Sequence, residues 1–172
     1  MREIINVLGN ICENNNIICV ILIIEGLIME LFKIVTDKEE LKKRCLEVET
    51  PISEELKTLL LKMIDYLKKS QDDDFAKEHD VRPGVGLAAN QIGYNQRFLA
   101  IYLIDDHGKE IKYGLVNPVI TTYSVQESYI SNGEGCLSVK EDVPGYVYRH
   151  AKITVRALSS TNLNRYASSE SI

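Results

Sequence analysis

Apolar spacing changes character near Arg82, and that change limits the chain to a mixed architecture. Leu56, Leu59, Leu60, Met63, Ile64 and Leu67 recur at the period of one helix face. Ser53 precedes them as a cap. Glu54 and Glu55 fill the first turn, where the helix dipole favours acids. Past Arg82 the vocabulary turns to glycine, proline and β-formers. Pro83, Gly84, Gly86 and Gly93 punctuate one short segment. Residues 98–104, 111–120, 121–130 and 146–158 read as strands, the second interrupted by Asn117-Pro118. Asp105-Asp106-His107-Gly108 is turn chemistry. A helix followed by consecutive strands predicts an α+β fold with a largely antiparallel sheet.

Composition narrows the class. At 172 residues the chain is long enough for one domain with a real core. Apolar residues make up 45% and charged residues 26%, the balance of a soluble globular protein. The net charge of −5, without a basic stripe, argues against nucleic-acid binding. Cys12, Cys19, Cys45 and Cys136 form no CxxC pair. That pattern suits a reducing cytoplasm better than a disulfide scaffold.

The two ends read differently from the middle. Residues 1–28 contain nine Ile and five Asn, and 17–24 is an unbroken apolar run. A membrane-spanning helix needs about 20 apolar residues. Arg2 is offset by Glu3 and Glu13, and no A-x-A pattern follows, so the segment does not read as a signal peptide. We expect an extraneous or disordered extension over 1–28, such as AT-rich upstream DNA translated from an early start. Residues 159–172 show neither helical nor strand period and read as an unstructured tail, or as the product of a lost frame. The expected organisation is an incomplete domain over 29–158 between these ends. Asp72-Asp73-Asp74 lacks the alternation and glycine of a calcium loop and reads as a solvated helix end or loop.

Three segments can carry chemistry. The first runs Gly84-Val85-Gly86-Leu87-Ala88-Ala89-Asn90-Gln91. Its glycines permit close backbone approach, and Gln91 supplies a neutral donor and acceptor. It is neither a Walker loop nor GxGxxG. The second is Glu134-Gly135-Cys136-Leu137-Ser138. Its cysteine reads as a metal ligand, a nucleophile or an inert packed thiol. The third, Val143-Pro144-Gly145-Tyr146-Val147-Tyr148-Arg149, is a turn feeding a strand. Surface packing accounts for it, with ligand contact by Tyr146 or Arg149 as the alternative.

In this order, the three segments resemble the peptide deformylase family. Arg82-Pro83-Gly84 and the acidic stretch before it are similar to the longer form of many Gram-positive bacteria. The resemblance spans about 29–155. It implies removal of the formyl group from the N-terminal formyl-methionine of nascent proteins. Fe²⁺ is the usual metal, replaceable by Zn²⁺, Ni²⁺ or Co²⁺. By resemblance Cys136 is a metal ligand. The Gln91 amide and the Leu137 backbone N–H are the catalytic oxyanion donors. Gly84, Val85, Gly86 and Leu87 form the substrate-binding edge. The partners implied are formyl-methionyl peptides and ribosome-nascent chains, with neither nucleic acid nor membrane.

The family's remaining two metal ligands and its general base lie in a downstream HExxH helix. No HExxH occurs here. His79, His107 and His150 are each followed by a residue other than Glu, and none has a His four positions away. We therefore expect a truncated or frameshifted deformylase that lacks its C-terminal metal-binding helix, is catalytically incompetent as written and binds no metal. The alternative is a non-catalytic module that binds peptide N-termini.

Overall fold

The computed structural model describes residues 31–159 except Lys140 and Asp142, together with the backbone of Asn162–Tyr166. The expectation for 1–28 lies outside the described residues. The fold is that of the unit Phe32–Ile172. It begins with the short helix α1 (Lys38–Leu41), capped by the Asp37 carboxylate. The long helix α2 (Glu54–Ser70) starts where the sequence places it. The Ser53 hydroxyl accepts from the Leu56 N–H at 3.2 Å. Helix α3 (Asp73–His79) follows. Asp72 is its cap and Asp73 and Asp74 its first turn, so the acidic triplet is a helix start.

Seven strands follow among the described residues. These are β1 (Gly86–Ala88), β2 (Phe98–Ile104), β3 (Glu110–Tyr123), β4 (Glu127–Ser128), β5 (Arg149–His150), β6 (Ile153–Ser159) and β7 (Asn162–Tyr166). A five-stranded sheet has the order β1-β2-β3-β6-β7, and every pairing is antiparallel. Strands β4 and β5 make a separate two-stranded ribbon. The α+β expectation is met.

The differences lie in strand lengths. The 111–120 and 121–130 readings merge, because β3 runs through Asn117-Pro118. Proline removes a ladder donor, and the register with β6 shifts there, between Val116 and Val119. Asn117 adopts φ 53°. Its side chain accepts from the Val48 N–H and donates to the Val48 carbonyl, both at 2.9 Å. The bulge thereby ties the segment before α2 to the sheet. The 146–158 reading divides into β5 and β6. Within the stretch read as an unstructured tail, Asn162–Tyr166 pairs with β6.

The core lies between α2 and one face of the sheet. Leu60, Met63, Leu67 and Tyr66 are buried on α2; Phe98, Ala100 and Tyr102 alternate inward from β2, and Val116 from β3. Phe32 meets Tyr66 edge to face at 5.5 Å. Among the described residues no helix is long and apolar enough to cross a membrane.

A polar triad fastens the end of α2 to the β2–β3 hairpin. Lys68 Nζ and Tyr102 Oη both donate to Glu110 Oε1, at 2.6 and 3.0 Å. The Lys68 bond, then the Tyr102 bond, hold the Glu110 carboxyl below the usual glutamate range. A depressed carboxylate adds stability above its unfolded pKa of about 4.3 and loses it as pH falls through the lower folded value. Glu110→Gln is therefore expected to lower the melting temperature at pH 7. The gap to the unmodified chain should narrow as pH falls below 4, as read by thermal scans at stepped pH. Leu60→Ala, at a fully buried position, is expected to cost about 2–5 kcal/mol in denaturant titration.

Candidate active site

The site forms where the β1 edge meets the loop that carries Cys136. Among the described residues strand β1 is bonded on one side only, to β2. The Tyr102 N–H donates to the Val85 carbonyl at 3.0 Å. Antiparallel pleating alternates, so Gly86, next along, turns its N–H and C=O away from β2. Leu87 is buried in the core, whereas Val85 and Gly86 are exposed. Gly84 stands apart from this alternation. Its N–H donates to Ser70 Oγ at 3.2 Å, and its carbonyl accepts from Gln71 Nε2 at 2.8 Å.

After β1 the chain enters the 3₁₀ turn Ala89–Ile92, closed by Gly93 at φ 86°. That positive φ needs glycine. The turn aims Gln91. Its Oε1 accepts from the Ala88 N–H at 2.9 Å, so its amide nitrogen must face the other way. Nε2 lies 3.3 Å from Ser138 Oγ and 3.9 Å from Cys136 Sγ. The second distance is at the long limit for a sulfur acceptor and marks proximity more than bond strength. Gln91 and Cys136, 45 positions apart, thus converge on one point.

The cysteine loop is pinned from several sides. The Val139 N–H donates to the Cys136 carbonyl at 3.1 Å, and Arg82 Nη1 donates to the Val139 carbonyl at 3.0 Å. The Leu137 side chain rests on Gly84, where an added Cβ would lie 3.1 to 3.3 Å from it. Arg149, on β5, grips the Glu134 carboxylate from two nitrogens, with Nη2 to Oε2 at 2.8 Å. That contact holds the Glu134 carboxyl below the usual range. Arg149 is thereby occupied within the chain, and Tyr146 packs on Tyr129 at 4.8 Å. Cys136 itself is exposed.

The donor set around Cys136 does not match a catalytic metal centre. Such centres take three protein ligands and leave one position open. Among the described residues no group of three His, Cys, Asp or Glu is close enough to hold a metal ion. The histidines serve elsewhere. His79 lies against Phe75 at 4.3 Å, on α3. His107 sits in the β2–β3 turn. His150 Nδ1 is 2.7 Å from the Ser124 carbonyl, and its ring stacks on Tyr123.

Four contributors were not singled out from the sequence. Ser138 is buried beside Gln91, and its place inside the Glu134–Ser138 motif was the available signal. Arg82 was legible only as part of Arg-Pro-Gly. Ser70 and Gln71 carry no motif at all. They matter because the helix ends beside Gly84.

Comparison with known proteins shows the family. The polypeptide deformylase family profile matches residues 31–168, and the chain belongs to that family. Peptide deformylase 2 of Geobacillus stearothermophilus is 49% identical over 115 residues, 67% of this chain and 62% of that protein. The Staphylococcus epidermidis peptide deformylase is 48% identical over 118 residues, 68% and 64% of the two chains. The chain thus spans about three fifths of the length of the curated relatives it matches. A Legionella pneumophila peptide deformylase crystal structure superposes with TM-score 0.56 at 34% identity, covering 77% of this chain and 68% of that one. The Ehrlichia chaffeensis enzyme gives TM-score 0.59 at 26% identity, covering 77% and 70%. The family is metal-dependent.

Gly84→Ala is expected to push the Leu137 side chain and shift the cysteine loop without unfolding the domain. The near neighbours are the outer atoms of one half-buried side chain, which can give way. Amide resonances of Leu137 and Ser138 should move, while the melting temperature falls by only a few degrees.

Proposed function

We propose that this chain is the peptide-edge and cysteine portion of a peptide deformylase. Its ligand is the formyl-methionyl end of a peptide, met in the cell on nascent chains. The convergence of Gln91 with the Cys136 loop carries this reading, because it joins two separate motifs at one point. The peptide adds as a strand beside β1 through the outward N–H and C=O of Gly86, the usual mode of edge recognition. Val85, flanking that residue, is exposed beside the same edge. The Gln91 amide and the Leu137 N–H orient the formyl oxygen as a two-donor oxyanion site.

Catalysis asks for more than this portion provides. In the family a metal ion, usually Fe²⁺ and replaceable by Zn²⁺, Ni²⁺ or Co²⁺, supplies an activated water. Cys136 corresponds to one of its ligands. Unactivated water has a pKa near 15.7 and is a poor nucleophile at neutral pH. The 172-residue chain contains no HExxH to complete the ligand set or accept the proton. It therefore binds formylated peptide without releasing formate. A binding-only role for such ends is the second reading, favoured by an edge and donor pair that stand without a positioned base.

The test is a formate-release assay on the purified chain with formyl-Met-Ala-Ser and added Ni²⁺, run beside a peptide titration by NMR. Saturable shifts around Gly86 and Leu137 without formate release are expected. Gln91→Ala should weaken binding about fivefold to tenfold, the scale of one lost hydrogen bond. Formate release that Cys136→Ala abolishes would show an active enzyme instead. Absence of shifts along β1 would end the peptide-edge reading.

A further inference from the structure

Helix α2 ends in two polar side chains that reach back to the substrate edge. Ser70 is fully buried. Its hydroxyl donates to the Leu67 carbonyl at 2.8 Å and accepts from the Gly84 N–H at 3.2 Å. Gln71 caps the helix with its backbone N–H, leaving its side chain free to turn toward the sheet. Nε2 donates one proton to the Gly84 carbonyl at 2.8 Å and the other to the Tyr102 carbonyl at 3.1 Å. Both backbone groups of Gly84 are thus held by α2. The Gln71 amide also bridges the segment leading into β1 to β2, just past the Tyr102–Val85 bond.

Two consequences follow from this placement. A peptide strand added beside β1 cannot pair with Gly84, whose N–H and C=O are already engaged. Among the described residues the free edge is closed at that end and offers its full pair of groups at Gly86. Secondly, Gly84 is the surface on which the Leu137 side chain rests. The clasp therefore sets the distance between the pairing edge and the Leu137 N–H.

We propose that Ser70 and Gln71 are positioning residues that hold the β1 edge and the Leu137 N–H in register for a formylated peptide. This rests on the functional reading above. Neither residue touches the peptide; both act through Gly84. A rigid clasp matters here because donor alignment at the formyl oxygen has to be set before binding.

The test uses the full 172-residue chain and its Gln71→Met, Ser70→Ala and Leu61→Ala variants. Met matches the length of Gln without donors, and Leu61 is an exposed α2 position away from the edge. Affinity for formyl-Met-Ala-Ser, Gly84 amide exchange, the Leu137 amide resonance and melting temperature are measured on each. Gln71→Met is expected to weaken the peptide about tenfold, speed Gly84 exchange and shift Leu137. Its melting temperature should fall by only a few degrees, since two part-buried bonds contribute modestly to global stability. Ser70→Ala leaves the Gly84 N–H without its acceptor and should shift Leu137 likewise, with some loss of stability. Leu61→Ala should change none of these site readouts. Unchanged peptide affinity in Gln71→Met, with tight binding by the unmodified chain, overturns the positioning role and leaves the functional reading standing. If the unmodified chain binds no peptide, the functional reading fails, and Gly84 exchange and the Leu137 resonance decide the clasp by themselves. An unmoved Leu137 resonance in Gln71→Met overturns it.

Discussion

Burial of the α2 apolar stripe against β2 and β3 is the constraint on which the rest depends. Leu60, Met63 and Leu67 are fully enclosed, and they face Phe98, Ala100, Tyr102 and Val116 across the interface. Removing that apolar surface from water is the main favourable term in a domain of this size. It also fixes where the helix stops. Once α2 is seated, Ser70 and Gln71 have one location, beside Gly84. The Lys68–Glu110–Tyr102 triad fastens the same helix end to the β2–β3 hairpin. One packing event therefore sets the position of the β1 edge.

The site is assembled in layers from that base. Gly84 is held from behind by the helix, and Leu137 lies on it from the other side. Gln91 is aimed by its own bond to the Ala88 N–H. Arg149 and Arg82 hold the two ends of the cysteine loop through Glu134 and Val139. The result is a Gln91 amide held in place beside an exposed thiol. Preorganisation of donors is the part of catalysis that survives without an activated water. The edge and donors lie between Gly84 and Leu137, while the family's base and remaining ligands belong to a motif this sequence does not contain.

Much of this was legible in the sequence, because local signals and tertiary demands agree. Ser53 caps α2 as its position before two glutamates implies. Strand β2 coincides with the apolar run Phe98–Ile104. The family and the convergence of Gln91 with Cys136 were implied by two motifs in the right order. The ends of β3 and the division of 146–158 were not legible. Thr121 to Tyr123 read as the start of a new strand, yet β6 captures them into β3 across a bulge. Pairing with a partner distant in sequence overrode the local punctuation.

By itself the sequence determined the helix, the alternation of the strands, the family and the missing HExxH. Those follow from periodicity, caps and motif residues, which act over a few positions. Only the tertiary structure decided that Gly84 is spoken for by Ser70 and Gln71 and that Arg149 is spent on Glu134. Each depends on which polar groups meet after the α2–sheet core closes. A buried or paired backbone group takes its partner from proximity in space, and sequence spacing carries no record of that.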